Sequence, residues 1–125
     1  MRVHAERLIE RFSIKALPTD PVGALSGGNM QKVLLARVLS RNPRAVVVAQ
    51  PSRGLDVGAA EFVHRELSER RAAGAAVLLV SEDLDELLAL CDRLVVMFEG
   101  RVVGELRTSE ATVGRLGLLM AGQAA

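Results

Sequence analysis

Apolar positions in this chain fall into two patterns. Ala45–Ala49 (AVVVA) and Ala76–Val80 (AVLLV) are short unbroken apolar runs, which predict strands buried on both faces. Between them Gly58–Ala73 mixes apolar and charged residues at helical spacing and is stopped by Gly74, so a helix is expected there. That connection is long enough for a crossover, which makes the two strands parallel and the crossover right-handed. Upstream, Val3–Phe12 reads as a short amphipathic helix and Ala16–Ala24 as a loop broken by Pro18 and Pro21. Asn29–Arg41 reads as a helix with Val33, Leu34, Val38 and Leu39 on or near one face. Downstream, Leu84–Cys91 is a helix opened by acidic residues, which suit its positive end. Arg93–Phe98 and Arg101–Leu106 are strands joined at Glu99-Gly100, a tight hairpin signal. Thr108 or Ser109 is expected to cap a last helix running to Ala121, and Met97, Met120 and the leucine pairs are expected in the core.

A chain of 125 residues is at most one domain. Half of it is hydrophobic, yet no run reaches the ~18 apolar residues of a membrane span. A net charge of +1 provides no broad field for nucleic acid, and with three Phe and no Trp or Tyr there is no base-stacking platform. Cys91 is single, so it forms no internal disulfide and reads as a small core residue. His4 and His64 sit in helical runs without partner motifs and read as packing or surface residues. Met1 leads into Arg2, His4, Glu6 and Arg7, a polar helix pattern with no apolar secretory core.

The chemistry is concentrated in Leu25-Ser26-Gly27-Gly28-Asn29-Met30-Gln31-Lys32. A serine and two glycines stand directly before a helix. Glycine admits close approach, the hydroxyl can donate, and the first helical N–H groups lack internal partners, so such a junction can hold an anion. By itself a Ser-Gly-Gly is an ordinary turn and N-cap. The next part of the chain is more specific: the strand Val46-Val47-Val48, then Gln50-Pro51-Ser52-Arg53-Gly54-Leu55-Asp56.

In this order and spacing the segments resemble the signature motif, the Walker B strand and the D-loop of ABC-type ATPases. The octapeptide from Leu25 to Lys32 is similar to the long form of the signature found in subunits that drive sugar and nucleoside importers. Val77–Asp83 resembles the strand and switch of the H-loop, and Gly117–Gly122 resembles the end of the second cassette of tandem subunits. The resemblance covers nearly the whole chain. It implies an α/β fold, namely the C-terminal half of a P-loop NTPase cassette, with parallel strands, crossover helices and a C-terminal hairpin. Residues 1–24 would be the end of the helical subdomain and its loop, and residues 25–125 the C-terminal half of the ATPase core. No Gly-x-x-x-x-Gly-Lys-Ser/Thr occurs; Lys15 and Lys32 are the lysines, and neither follows a glycine loop. The nucleotide cradle is therefore outside this sequence, and the chain by itself is expected to be inactive.

The resemblance also locates three departures. Its last Walker B residue, an aspartate that holds magnesium through water, corresponds to Ala49. Its next residue, a glutamate that polarises the attacking water, corresponds to Gln50. Its switch histidine corresponds to Glu82, although Glu82 with Asp83 and Asp85 also reads as an ordinary helix-start acid. Alanine carries no ligand atom, and an amide accepts no proton. Loss of general-base help alone costs about 10²–10⁴ in rate. A carboxylate at the switch repels phosphate. The local site is thus expected to be degenerate, with no catalytic residue and no metal ligand. The signature is intact: Ser26, Gly27, Gly28 and Asn29 are expected to contact ATP held by a partner cassette, in trans, and Asp56 to lie at the interface between cassettes. ATP and magnesium would be held mainly by the partner.

The implied setting is the cytoplasmic face of a membrane, with a second cassette and membrane-spanning permease subunits as partners and no nucleic acid. The alternative is a non-enzymatic fragment or capping module. A repair or translation protein of the same family is disfavoured by the Met120-Ala121-Gly122 ending. In the family sheet, the phosphate-loop strand lies between the strands that correspond to Ala76–Val80 and Arg93–Phe98. Without it, Ala45–Ala49 should pair with Ala76–Val80, Arg93–Phe98 with Arg101–Leu106, and a gap or collapse should separate the pairs. Exposed edges and a truncated core predict marginal stability at ~25 cal/mol per Å² of lost apolar burial.

Overall fold

The structure, a computed structural model, describes residues 2–123. Its elements run α1 (Arg2–Arg11), α2 (Gly27–Leu39), β1 (Ala45–Ala49), α3 (Val57–Ala72), β2 (Ala76–Val80), α4 (Leu84–Leu90), β3 (Arg93–Phe98), β4 (Arg101–Arg107) and α5 (Val113–Met120), with 3-10 turns at Val22–Ala24 and Thr108–Glu110. The described residues form two compact units that divide after Val80.

In the first unit β1 and β2 pair in parallel, Ala45 opposite Ala76 through Ala49 opposite Val80. Both strands match their predicted bounds because an unbroken apolar run flanked by Pro43 on one side and Gly74 on the other has little choice of limits. The core gathers Phe12, Ile14, Leu35, Ala36, Leu39, Val46, Phe62, Val63 and Leu67. Phe12 and Phe62 meet edge to face, with ring centroids 6.3 Å apart.

Burial on both faces of the strands is not what the structure shows. Val46 is buried, but Val47 is 72% exposed and Leu78 60%, so this two-stranded sheet is covered on one face only. The core stripe of α2 also differs from expectation. It is Leu35, Ala36 and Leu39, with Val33 packed beside it, whereas Leu34 and Val38 are exposed. Two apolar stripes run along this helix, and packing against α3 and α1 selects the one at 35, 36 and 39.

In the second unit β3 and β4 form an antiparallel hairpin, with a bulge where Met97 pairs with Val102 after Val96 has paired with Gly104. Glu99 and Gly100 both have positive φ, 47° and 76°, as a type I′ turn requires. Each unit thus holds its own two-stranded sheet, β1 with β2 and β3 with β4, the pairings expected from the sequence. Leu94, Val96, Leu106, Leu116 and Leu119 form the second core, with half-buried Cys91 packed against it. A Cβ on Gly104 would lie 2.7 Å from a Leu119 methyl, so glycine there lets α5 seat on the hairpin. Met97 and Met120, expected in the core, are exposed: their neighbours Val96 and Leu119 hold the inward positions. The last helix is capped neither by Thr108 nor by Ser109, which lie in a 3-10 turn. Thr112 is the cap, its hydroxyl accepting from the Arg115 N–H at 3.2 Å. The Thr108 hydroxyl instead donates to the Cys91 carbonyl at 2.5 Å, which occupies it across the hairpin base. No helix of the described residues is long and apolar enough to cross a membrane.

Candidate functional site

The glycine-rich junction lies in the first unit. Ser26 is the N-cap of α2, with extended backbone angles, and the two glycines form the first helical turn. The helix thus begins earlier than the expected Asn29, because Gly27 and Gly28 accept helical geometry once Ser26 caps them. Ser26 and Gly27 are exposed. The N–H groups that have no helical acceptor are therefore presented at an open surface, at the positive end of a 13-residue helix.

Gly28 faces inward. A Cβ placed on it would stand 3.0 Å from the Ala59 Cβ and 3.9 Å from Asp56 Oδ2. The first turn of α2 thus touches the first turn of α3 at van der Waals range, and glycine makes the approach possible. Asp56 caps α3: its Oδ1 accepts from the Ala59 N–H at 2.9 Å. Two helix N-termini and one exposed carboxylate consequently share a corner.

Further bonds hold that corner. Gln31 Nε2 donates to the Pro51 carbonyl at 3.0 Å, tying α2 to the segment after β1. Lys32 Nζ donates to the Ser13 carbonyl at 3.0 Å and lies 4.8 Å from the centroid of the Phe62 ring. The Asn29 side chain accepts from the Lys15 N–H at 2.9 Å and donates to Ser26 Oγ at 3.0 Å. Gln31 and Lys32 were visible in the sequence as part of the long motif, but nothing in spacing assigns them partners; their roles depend on where the chain returns.

At the end of β1, Ala49 is exposed and Gln50 half-buried with φ 49°, in the left-handed region. The Gln50 N–H donates to the Val80 carbonyl at 2.7 Å, extending the ladder, and the Arg53 N–H returns to the Gln50 carbonyl at 3.3 Å. Pro51 is buried, so Gln50 is the sharp corner between the strand and the turn toward Asp56. Neither side chain offers the carboxylate oxygen that magnesium prefers. The structure therefore gathers Ser26, Gly27, Gly28, Asn29 and Asp56 at one corner. Glu82 belongs to the second unit, one residue before Asp83, which is the actual cap of α4 and accepts from the Asp85 and Glu86 N–H groups at 3.0 and 3.2 Å.

A cleft of about 350 Å³ opens elsewhere in this unit, lined by Leu8, Ile14, Leu17, Val22 and Val33 among others; Ser26, Gly27, Gly28 and Asn29 do not line it. Glu66 on α3 has its pKa raised above the ordinary carboxylate value. Burial raises it, the Glu69 charge raises it further, and Arg11, Arg65 and Arg70 pull it down.

No protein-family model matches the chain. It is 56% identical over 99 residues to a guanosine import ATP-binding protein, NupO, of Bacillus subtilis, covering 79% of this chain and 19% of that protein. It is 46% identical over 125 residues to a glucose import ATP-binding protein, TsgD13, of Haloferax volcanii, covering 98% of this chain and 23% of that one. The chain thus spans about a fifth of the length of these relatives. Among solved structures, a nucleotide-free ATP-binding cassette from an ABC transporter superposes with a TM-score of 0.72 at 33% identity, over 84% of this chain and 42% of that one. The cassette MJ1267 of an ABC transporter superposes with a TM-score of 0.73 at 29% identity, over 95% and 46%.

Proposed function

From the premise that this chain is a homologue of sugar and nucleoside import ABC ATP-binding proteins, with the α/β fold of the C-terminal half of an ABC cassette, we propose that it serves as the signature-bearing half of an importer cassette. It acts in trans on ATP held by a partner cassette, while the site at the end of its own β1 does not hydrolyse. The solute class is a sugar or nucleoside. The partners are a second cassette and membrane-spanning permease subunits, and the chain works peripherally on the cytoplasmic face of the membrane. Residues 1–24 close the helical subdomain, and residues 25–125 supply the half core.

One observation carries this reading. The open first turn of α2, with Ser26 and Gly27 exposed, is docked through Gly28 onto the corner of Asp56, whereas β1 ends in Ala49 and Gln50. The bound nucleotide contributes the triphosphate whose terminal phosphoryl group is transferred to water. Ser26 and the N–H groups of the first turn stabilise its negative charge by donating hydrogen bonds from a preorganised position, where electrostatic stabilisation is most effective. Asn29 has its amide engaged within the chain, so it supports Ser26 from behind. Asp56, at the rim of the same corner, meets the partner. Ala49 and Gln50 supply neither a carboxylate ligand for magnesium nor a proton acceptor, so the magnesium belongs with the partner's site.

The test uses the chain assembled with the cassette that supplies the phosphate loop. Gly27→Asp suits the helix start, since no atom lies within 4 Å of the new Cβ and an acidic residue is favourable in a first turn. It nonetheless places a carboxylate against phosphate. ATP turnover and solute uptake should fall severely with Gly27→Asp and Ser26→Arg, and remain near the unmodified level with Gln50→Ala. Equal and severe loss for all three would contradict the assignment, as would full activity of Gly27→Asp.

A further inference from the structure

We infer that Asn29 is a positioning residue that fixes the direction of the Ser26 hydroxyl proton, making Ser26 a dedicated donor toward an anion. The inference rests on the trans role proposed above and adds how that site is tuned. The chain of contacts begins at Lys15. Its backbone N–H is a donor only, and it lies 2.9 Å from one terminal atom of the Asn29 side chain. That atom must be the carbonyl oxygen, since an amide NH2 facing an N–H would leave two donors opposed. The NH2 of Asn29 therefore points the other way, to Ser26 Oγ at 3.0 Å. The same oxygen also accepts from the Asn29 backbone N–H at 3.4 Å, the capping bond of α2.

A serine oxygen has two lone pairs and one proton. Both lone pairs are now engaged by donors on Asn29. The remaining capacity of Ser26 is its O–H, which cannot turn back on either partner and is directed at the exposed surface. A hydroxyl in free rotation would present its proton to a ligand only part of the time. Here the amide removes the alternatives. Lys15, at the turn after α1, thereby sets the donor direction of a residue 11 positions away in sequence through a single intervening side chain. Ordering of this kind costs no reorganisation when the ligand arrives.

Asn29→Asp separates this role from a structural one. The aspartate is the same shape, keeps an oxygen against the Lys15 N–H, and leaves the backbone capping bond in place. Its second oxygen, however, faces Ser26 Oγ as an acceptor, so the hydroxyl proton swings inward and is lost to the ligand. In the chain assembled with its partner cassette, ATP turnover should fall about tenfold to a hundredfold, the range for a hydrogen bond to a charged group. Ser26→Ala should cause a comparable fall, and the double variant should be no worse than the more severe single variant. An added charge acting directly on the nucleotide would instead give additive losses and overturn the inference.

If Ser26→Ala leaves turnover unchanged, the trans role itself fails. If Ser26→Ala slows turnover while Asn29→Asp does not, only the inference about Asn29 fails. A second measurement is independent of nucleotide. In the nitrogen-15-labelled chain, the side-chain NH2 of Asn29 should exchange slowly with solvent, and Ser26→Ala should accelerate that exchange. No response to Ser26→Ala would show that the bond from Asn29 to Ser26 is not made.

Discussion

Replacing each of the two neighbouring glycines by alanine separates helix propensity from packing at the corner of α2 and α3. Gly27 and Gly28 share the first turn of one helix. Each gains up to about 1 kcal/mol from the better helix propensity of alanine. Their surroundings differ. A Cβ on Gly27 meets no atom within 4 Å, whereas a Cβ on Gly28 stands 3.0 Å from the Ala59 Cβ. Carbon atoms rest at about 3.5–4.0 Å, so roughly 0.5–1 Å must be found at Gly28. Ala59 cannot easily give way. It is buried, its N–H is held by Asp56 Oδ1, and the next turn of α3 places Phe62 and Val63 in the core. Overpacking of this kind costs about 1–3 kcal/mol. Gly27→Ala should therefore be neutral to stabilising, and Gly28→Ala should be about 1–3 kcal/mol less stable than Gly27→Ala. The assay is urea unfolding of the chain followed by far-ultraviolet circular dichroism, with a thermal melt alongside; for a unit of this size each kcal/mol moves Tm by about 4–8 °C. Equal midpoints for the two variants would refute the close contact between the helix starts. A more stable Gly28→Ala would do so more strongly.

Three other outcomes are expected. Asp56→Ala should lower stability by about 1 kcal/mol through loss of the α3 cap, while Asp56→Asn keeps the cap and the urea midpoint. The Glu66 carboxyl, raised first by burial and then by Glu69, favours the folded state when protonated; that contribution is present at acid pH and is lost as pH rises through the raised pKa. Glu66→Gln should accordingly raise Tm at neutral pH, with the advantage shrinking as pH falls below the carboxylate range; a constant difference across pH would contradict it. The chain assayed without a partner should turn over no ATP above background, and turnover abolished by Gly27→Asp in that assay would show that it holds a working site of its own.

Element positions were legible in the sequence wherever one residue type forces an outcome. The two apolar strands, the Gly74 stop and the Glu99-Gly100 turn all fall where expected, because each is decided locally. Faces were less legible. Leu34 and Val38 are as apolar as Leu35 and Leu39, and only the arrival of α1 and α3 chooses between the stripes. The cap of α5 escaped for a related reason: Thr108, Ser109 and Thr112 are all competent caps, and Thr108 is diverted to the Cys91 carbonyl. At the candidate corner, the motif named residues to look for but not which way they point. That the Asn29 amide turns inward follows from Lys15, far from the motif, and that Gln31 reaches Pro51 follows from the return of the chain through β1.

The parallel pair β1–β2 carries one further implication, for how its alignment is chosen. In most half-buried strands the alternation of apolar and polar side chains forbids a shift by one residue, since every side chain would change faces. AVVVA against AVLLV contains no polar residue, so a shifted ladder would look equally acceptable to solvent on both sides. The observed alignment is marked instead at its ends, by the Ala76 N–H donating to the Arg44 carbonyl at 2.9 Å and the Gln50 N–H donating to the Val80 carbonyl at 2.7 Å. It is metered by the turn after α3, where Gly74 at φ 92° and the bond from the Ala75 N–H to the Arg70 carbonyl set how much chain is spent before β2 begins. Loop length is thus the ruler for this sheet. Removing a single residue between Ala73 and Ala75 would displace β2 along β1 without turning one polar side chain to either face, and the Gln50 N–H at the strand's end would lose its partner at Val80.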